Sequence, residues 1–299
     1  MVIRKISYYR VIVSLCLFMF LLSPVFGDEI SAVSFDKELP ENNIVTIQPD
    51  SLRILHNPLT GWVLYASMGV DAADFWAQYD HMYIPELGHN VSVTDYAHTL
   101  YIRASWTDFN PQEDVYGWKI DSNLRAYIEG AYQRNMRLAF RVVVDSRDKR
   151  TEFTPQFVKD AGAKGFMNKG KWSPYSDDSV FQKYYTKFVK ALAKDFNDPS
   201  KVEFIDGFGL GKWGEYHTMI YSTGDDTPKK AVFDWVTDIY SQAFDKVPVV
   251  INYHRWIGAG KDWVDDEHFA ADSEEMLEEA IKKGYSLRHD AFGMTTYYG

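Results

Sequence analysis

The chain has 299 residues, a formal net charge of −10 and an aromatic content of 16%. The excess of acidic side chains argues against nucleic acids and anionic membranes as partners. Its single cysteine, Cys16, excludes an internal disulfide framework, and no thiol follows it in the sequence. Length and composition together indicate one large globular unit.

The first segment of the chain predicts export. Three basic residues precede an apolar run at 11–22, and the small residue Gly27 closes the segment. This is the layout of a secretory signal peptide over residues 1–27. The alternative is a membrane anchor, but the apolar run is too short to span a membrane comfortably. We therefore predict a secreted or periplasmic protein that is cleaved near Gly27 and has no membrane span afterwards.

The mature part of the chain is predicted to contain a short lead-in and one domain. Residues 28–51 are polar and show no clear period, whereas residues 52–299 carry a regular pattern. Removing the signal peptide removes three basic and no acidic residues, which leaves 29 basic and 42 acidic side chains and a net charge of −13.

Strands and helices alternate along the predicted domain. Strands are predicted at 61–66, 99–104, 138–144, from 202 onwards, at 247–251 and at 291–297. Between them, helices with apolar residues at 3.6-residue spacing are predicted after Asp71, Asp121, Thr227 and Ser273 and over 181–196, and a long loop covers 145–177. Such alternation predicts βα units and a parallel sheet.

We assign the domain to the α/β class, as a TIM-type (β/α)8 barrel. A doubly wound sheet would carry a glycine fingerprint after its first strand, and none is present there. The barrel needs eight strands, and the pattern supplies about six, so we expect a barrel truncated after about the sixth strand. A six-stranded sheet would leave two edges unpaired.

The stretch from Val202 to Thr218 carries the strongest site signal. It begins as a buried strand, loosens into a glycine-rich loop and ends on Trp213, Glu215 and His217. In (β/α)8 barrels the chemistry lies at the carboxyl ends of the strands, so we predict an active site here. The alternative is a glycine-rich turn whose Glu and His are solvated.

Further candidates follow other predicted strands. Asp145 could supply a second carboxylate for an inverting pair, bind substrate, or pair with Arg147. Polar residues after the fifth strand could hydrogen-bond sugar hydroxyls, and aromatic rings at strand ends could stack on sugar faces. The polar residues are Asn252, Tyr253 and His254, and the aromatic residues are Trp106, Trp213, Trp256 and Tyr297.

Residues 101–118 resemble a block found in clan-A glycoside hydrolases. In that block a second-strand Arg is followed by a Glu-Pro-x-x-Gly-x-Tyr-x-Trp turn; here Asn110 replaces the Glu and Asp114 the Gly. The sequence Asn-Pro before Gly61 and the block Gly-Lys-Trp-Gly-Glu at 211–215 are similar to a bacterial family of secreted barrel proteins whose expected substrates are glycans.

The resemblance implies a retaining mechanism, with an acid after the fourth strand and a nucleophilic carboxylate after the seventh, about 5 Å apart. Glu215 matches the acid/base, although Gly214 stands where the clan usually has Asn. Arg103 matches the Arg that orients the nucleophile, with a structural ion pair as the alternative. The nucleophile itself is expected beyond Gly299.

We therefore predict an exported glycoside hydrolase that acts on a poly- or oligosaccharide, with no metal and no cofactor. Two alternatives stay open. One is a non-catalytic glycan-binding protein on a degenerate barrel. The other is a metal-dependent hydrolase or deacetylase, although the sequence shows no set of three converging metal ligands.

Overall fold

The structure is a computed structural model that describes residues 61–66, 68–147, 151–252, 257–259 and 272–288. The strands in these ranges are β1 Trp62–Tyr65, β2 Met82–Ile84, β3 His89–Val91, β4 Ala97–Ser105, β5 Arg137–Val143, β6 Gly165–Asn168, β7 Lys171–Pro174, β8 Val202–Asp206, β9 Val249–Asn252 and β10 Ser286–Arg288. The α-helices are α1 Ala72–Asp80, α2 Trp106–Phe109, α3 Gly117–Ile120, α4 Ser122–Gln133, α5 Gln156–Asp160, α6 Ser179–Phe196, α7 Lys229–Ala243 and α8 Ser273–Lys282.

Six strands form one parallel sheet in the order β1-β4-β5-β8-β9-β10. Each strand is added beside the previous one, and helices fill the connections. A doubly wound sheet reverses its strand order at a switch point, and this sheet does not. The order is that of successive strands in a (β/α)8 barrel, which confirms the predicted fold class over six of its eight strands.

The first five predicted strands are confirmed to within a few residues. The sixth is not where it was expected, because β10 occupies Ser286–Arg288 and the predicted segment 291–297 lies outside the described residues. The predicted lead-in and signal peptide also lie outside them.

The predicted long loop over 145–177 contains regular structure that was not predicted. This region contains α5 and an antiparallel hairpin formed by β6 and β7. The hairpin turns through Lys169 and Gly170, which both have positive φ. A two-residue turn of this kind matches the twist of the strands that it joins.

The two faces of the sheet differ in chemistry. On β4 and β5, Leu100, Ile102 and Phe140 face the helices and belong to the hydrophobic core. The intervening residues face the barrel interior, and they include Tyr101 and the buried Arg141. The core therefore lies between the sheet and its helices, and the interior of the barrel is polar.

Helix α6 packs against the hydrophobic core. Its first turn is capped by Asp178, whose carboxylate accepts the N–H groups of Val180 and Phe181 at 3.0 and 2.9 Å. Its apolar face then packs against the helix-facing side of the sheet. Within the described residues no helix, α6 included, has both the length and the apolar character needed to cross a membrane.

Trp106 is buried beneath helix α6 and does not lie in a binding site. Its side chain has 0% exposure, and its ring centroid lies 5.2 Å from that of Tyr185 and 5.7 Å from that of Phe188. An indole with no exposed surface cannot stack on a sugar. The sequence-based assignment of Trp106 to substrate binding is therefore corrected: it begins α2 and turns into the core.

We expect Trp106→Ala to lower the free energy of unfolding by about 3–5 kcal/mol, because it removes a buried indole and leaves a cavity. Trp62 is 77% exposed and offers a control of the same residue type; Trp62→Ala should change stability by less than about 0.5 kcal/mol. Urea unfolding of both variants measures the difference. Equal stability losses would contradict the buried position of Trp106.

Two tyrosines with raised pKa values predict that the protein loses stability at alkaline pH. Burial raises the pKa of Tyr127 and Tyr132 to about 12, compared with about 10 in an unfolded chain. The folded state favours the neutral phenol, so this stabilisation is complete below about pH 10 and is lost as the pH rises through about 12. Urea unfolding across that interval should show the fall, and Tyr132→Phe should reduce it. A flat profile would argue against buried phenols.

Candidate functional site

An ion-pair network occupies the interior of the barrel. The Oδ2 atom of Asp206, at the end of β8, accepts hydrogen bonds from Arg141 Nε at 2.9 Å and Arg288 Nη1 at 2.6 Å, and from the hydroxyl of Tyr101. Asp206 has 0% exposure. Burial and the charge of Asp206 raise the pKa of Tyr101 well above its usual range, so its hydroxyl stays a neutral donor. Side chains of β4, β5 and β10 thereby all bind the carboxylate at the end of β8.

Arg141 extends this network to Glu215. Its Nη1 atom lies 2.9 Å from Glu215 Oε1, and the side chain of Glu215 is 14% exposed. On the other side, His217 Nε2 lies 3.5 Å from Glu215 Oε2. Arg141 therefore ties the loop that carries Glu215 to the network around Asp206.

The loop that carries Glu215 needs its glycines. Gly209 has a φ of +73°, and a Cβ there would clash with the carbonyl oxygen of Val142 on β5. This close approach lets Val144 N donate to Gly209 O at 3.1 Å. Trp213 has a φ of +58° although it is not glycine, and Arg103 Nη2 donates to its carbonyl at 2.9 Å. The loop is therefore anchored on two neighbouring strands.

A cavity of about 500 Å³ opens at the carboxyl ends of β1, β4 and β5. Its lining includes Tyr65, Arg103, Asp108, Asp145 and Trp213. Three of the predicted site residues, Arg103, Asp145 and Trp213, are thus brought together. Sequence reasoning missed Tyr65, which is 50% exposed, and Asp108. The strand-end rule could have found Tyr65, because it is the last residue of β1.

Asp145 forms the ion pair that was one of its predicted alternatives. Its Oδ2 atom lies 2.6 Å from Arg147 Nη2, and the same nitrogen donates to Thr218 O at 2.6 Å. Arg147 therefore links the segment after β5 to the loop of Glu215. The two candidate carboxylates, Asp145 and Glu215, therefore form ion pairs with different arginines.

The remaining predicted residues fall into two groups. His217 and Asn252 are buried, with 1% and 3% exposure, and neither lines the cavity. His217 packs edge-on against the Trp213 ring at 5.6 Å, so it supports the cavity wall and does not face a ligand. The other four, Tyr253, His254, Trp256 and Tyr297, lie outside the described residues, and their roles stay predictions.

Across the described ranges, no group of three or more His, Cys, Asp or Glu side chains converges as a metal site would require.

Comparison with known proteins finds similarity at the level of folds. No protein-family model and no curated protein sequence matches the chain. Solved structures that match include an endo-1,4-beta-xylanase from Caldicellulosiruptor owensensis, the endo-glycoceramidase II from Rhodococcus sp. and an endogalactoceramidase. All three are 13% identical to this chain, with TM-scores of 0.39, 0.41 and 0.43.

The matches cover 67%, 75% and 77% of this chain, which spans only 54%, 60% and 63% of the length of those proteins. Similarity at this level assigns neither an activity nor a substrate. The function is therefore argued from the site itself.

We expect Arg141→Met to lower the free energy of unfolding by about 3–5 kcal/mol, because Asp206 and Glu215 would both lose a buried cation. Arg125, which pairs with Glu129 on the surface of α4, is the matched control; Arg125→Met should cost no more than about 1 kcal/mol. Urea unfolding tests both variants, and an Arg141→Met variant as stable as the wild type would refute the network.

Proposed function

We propose that the protein is an exported glycoside hydrolase that binds a poly- or oligosaccharide in the cavity at the barrel mouth. The observation that carries this proposal is that the loop of Glu215, which Arg141 holds, also supplies Trp213, and that Trp213 lines a cavity together with Tyr65. Aromatic rings suit the C–H faces of sugars, and a fixed carboxylate suits glycosidic bond chemistry. Export rests on the signal peptide that the sequence predicts over residues 1–27.

Glu215 acts as the acid/base residue in this proposal. In a retaining mechanism one residue first protonates the leaving oxygen and then, as a carboxylate, activates water. Arg141 fixes the position of this carboxyl group. The nucleophile would be a second carboxylate about 5 Å from Glu215. Asp145, held by Arg147, fits better as a residue that shapes the cavity.

A non-catalytic glycan-binding protein is the second candidate. The observation that favours it is that both Glu215 and Asp145 are ion-paired with arginines, as structural carboxylates are. In that case the cavity would bind saccharides and release no product.

The test is Glu215→Gln in the full-length mature protein. We expect turnover of an unactivated oligosaccharide to fall by about 10²–10⁴-fold, because proton transfer is lost. An aryl glycoside with a good leaving group should lose much less in its first step, since that group needs no protonation. Glu129→Gln, on the exposed surface of α4, is the control and should leave both rates unchanged. Rates are measured by release of reducing ends and of the aryl group.

Wild-type rates in Glu215→Gln would eliminate the acid/base role. Saccharide binding by the wild-type protein, with no product released from any glycan tested, would favour the binding protein instead.

A further inference from the structure

Three buried tyrosines lie together in the core, behind the point where β8 passes into the loop of Glu215. Tyr185 belongs to α6, Tyr240 belongs to α7, and Tyr285 immediately precedes β10. Burial raises the pKa of Tyr185 and of Tyr285 well above the usual range of a phenol, so both keep their hydroxyl protons at neutral pH. Both hydroxyls can therefore donate hydrogen bonds inside the core.

Two of these hydroxyls bind the backbone of the loop itself. The Tyr285 hydroxyl donates to Gly207 O at 2.7 Å, and the Tyr185 hydroxyl donates to Phe208 O at 3.1 Å. These carbonyls belong to the first two residues after β8, which ends at Asp206. The core thus supplies a donor to each of the two peptides through which the chain leaves the strand.

The third tyrosine has a different partner. The hydroxyl of Tyr240 lies 2.9 Å from that of Tyr185. A phenol has a single O–H, and Tyr185 gives its proton to Phe208 O, so Tyr240 is the donor of the bond between the two phenols. Removing the hydroxyl of Tyr240 would therefore leave the bond to Phe208 in place.

The end of β8 is held from both faces of the sheet. In the barrel interior, Arg141 binds the carboxylate of Asp206. On the other face, the two phenols bind the two carbonyls that follow Asp206. The path of the chain out of the strand is therefore fixed before the loop turns toward Glu215.

The next part of the loop continues this series of bound carbonyls. Gly209 O accepts the bond from the segment after β5 that was described above. Tyr216 N donates to Leu210 O at 2.9 Å, and Glu215 N donates to Lys212 O at 3.1 Å. The backbone of Glu215 is thus connected to the two phenols through consecutive hydrogen bonds within one short loop.

We infer that Tyr185 and Tyr285 are positioning residues, which hold this loop so that the carboxyl group of Glu215 meets Arg141. They act through the carbonyls of Gly207 and Phe208. A buried carbonyl that loses its donor is costly, so removal of either hydroxyl favours a rearrangement of the loop. The acid/base role of Glu215 rests on the proposed function, whereas the positioning of the loop rests on the hydrogen bonds of the two phenols.

The first experiment is hydrogen exchange, measured by mass spectrometry on the full-length mature protein at neutral pH. In Tyr185→Phe and in Tyr285→Phe, we expect the amides of 209–218 to exchange about tenfold faster or more, because the loop opens more easily. The amides of α4, at 122–133, should exchange as in the wild type. The two variants act on different carbonyls, so the inference is tested even if one of them does not fold.

Tyr240→Phe is the matched control. It also removes one buried phenol hydroxyl from the same cluster, but the bond from Tyr185 to Phe208 O remains. Exchange in 209–218 should therefore stay as in the wild type. A general effect of losing a buried hydroxyl would instead appear in all three variants.

The second experiment measures turnover, which loss of stability alone would not change in the folded protein. An acid that is displaced by about 1 Å loses on the order of 100-fold in rate. We expect Tyr185→Phe to turn over an unactivated oligosaccharide about 10–100-fold more slowly, and an aryl glycoside with a good leaving group to be affected much less. Tyr240→Phe should keep both rates.

Three results would overturn the inference. They are wild-type exchange of the loop in folded Tyr185→Phe and Tyr285→Phe, an equal acceleration in Tyr240→Phe, and faster loop exchange with wild-type turnover of the oligosaccharide. If the loop exchanges faster only in the two phenol variants but the wild-type protein cleaves no glycan, the hydrolase proposal fails and the positioning of the loop stands. If the wild-type protein cleaves glycans and both phenol variants match it in exchange and turnover, the reverse holds.

Discussion

The contact between Arg141 and its two carboxylates is the interaction on which the barrel interior depends. A guanidinium with 2% exposure is costly to bury, and it is tolerated here because Asp206 and Glu215 both reach it. Arg288 adds a second cation, so two arginines balance two carboxylates. This balance lets a polar interior coexist with an apolar core on the other face of the same sheet.

The same contact distinguishes two arginines on adjacent strands. Arg103 and Arg141 occupy one register position, but only Arg141 lies within reach of the end of β8. The position of Asp206 therefore decides which of the two arginines joins the network, and Arg103 instead donates to the carbonyl of Trp213. His217 and Arg147 complete the arrangement by holding Glu215 and the carbonyl of Thr218.

Much of the fold could be predicted because it depends on local patterns. The alternation of apolar strands with amphipathic helices gave five strands close to their observed bounds. The strand-end rule gave Trp213 and Asp145, the family resemblance gave Arg103, and all three line one cavity. The rule failed for Trp106 because a residue at a strand end can turn toward either face of the sheet. Chain position alone does not distinguish the two.

The network could not be predicted, for a different reason. Arg141 lies between Phe140 and Val142 in an apolar segment with the pattern of an ordinary buried strand, and its partner Asp206 is 65 residues away in the chain. Contacts of that kind depend on the register between strands, which one sequence does not specify. The hairpin after β5 was missed because its strands are short and its turn residues are a lysine and a glycine.

The positive φ angles of Trp213, Tyr216 and Thr218 have a consequence for how the site is formed. Left-handed backbone at non-glycine residues costs roughly 1–2 kcal/mol each, so three of them within six residues are not a conformation that a free peptide would adopt. The loop holds this shape because Arg103, Arg147, the close approach of β5 and backbone hydrogen bonds, such as Gly258 N to Tyr216 O at 2.7 Å, impose it. Its final geometry should therefore arise late in folding, after β4, β5 and β8 have paired, and it would be lost early when their pairing loosens.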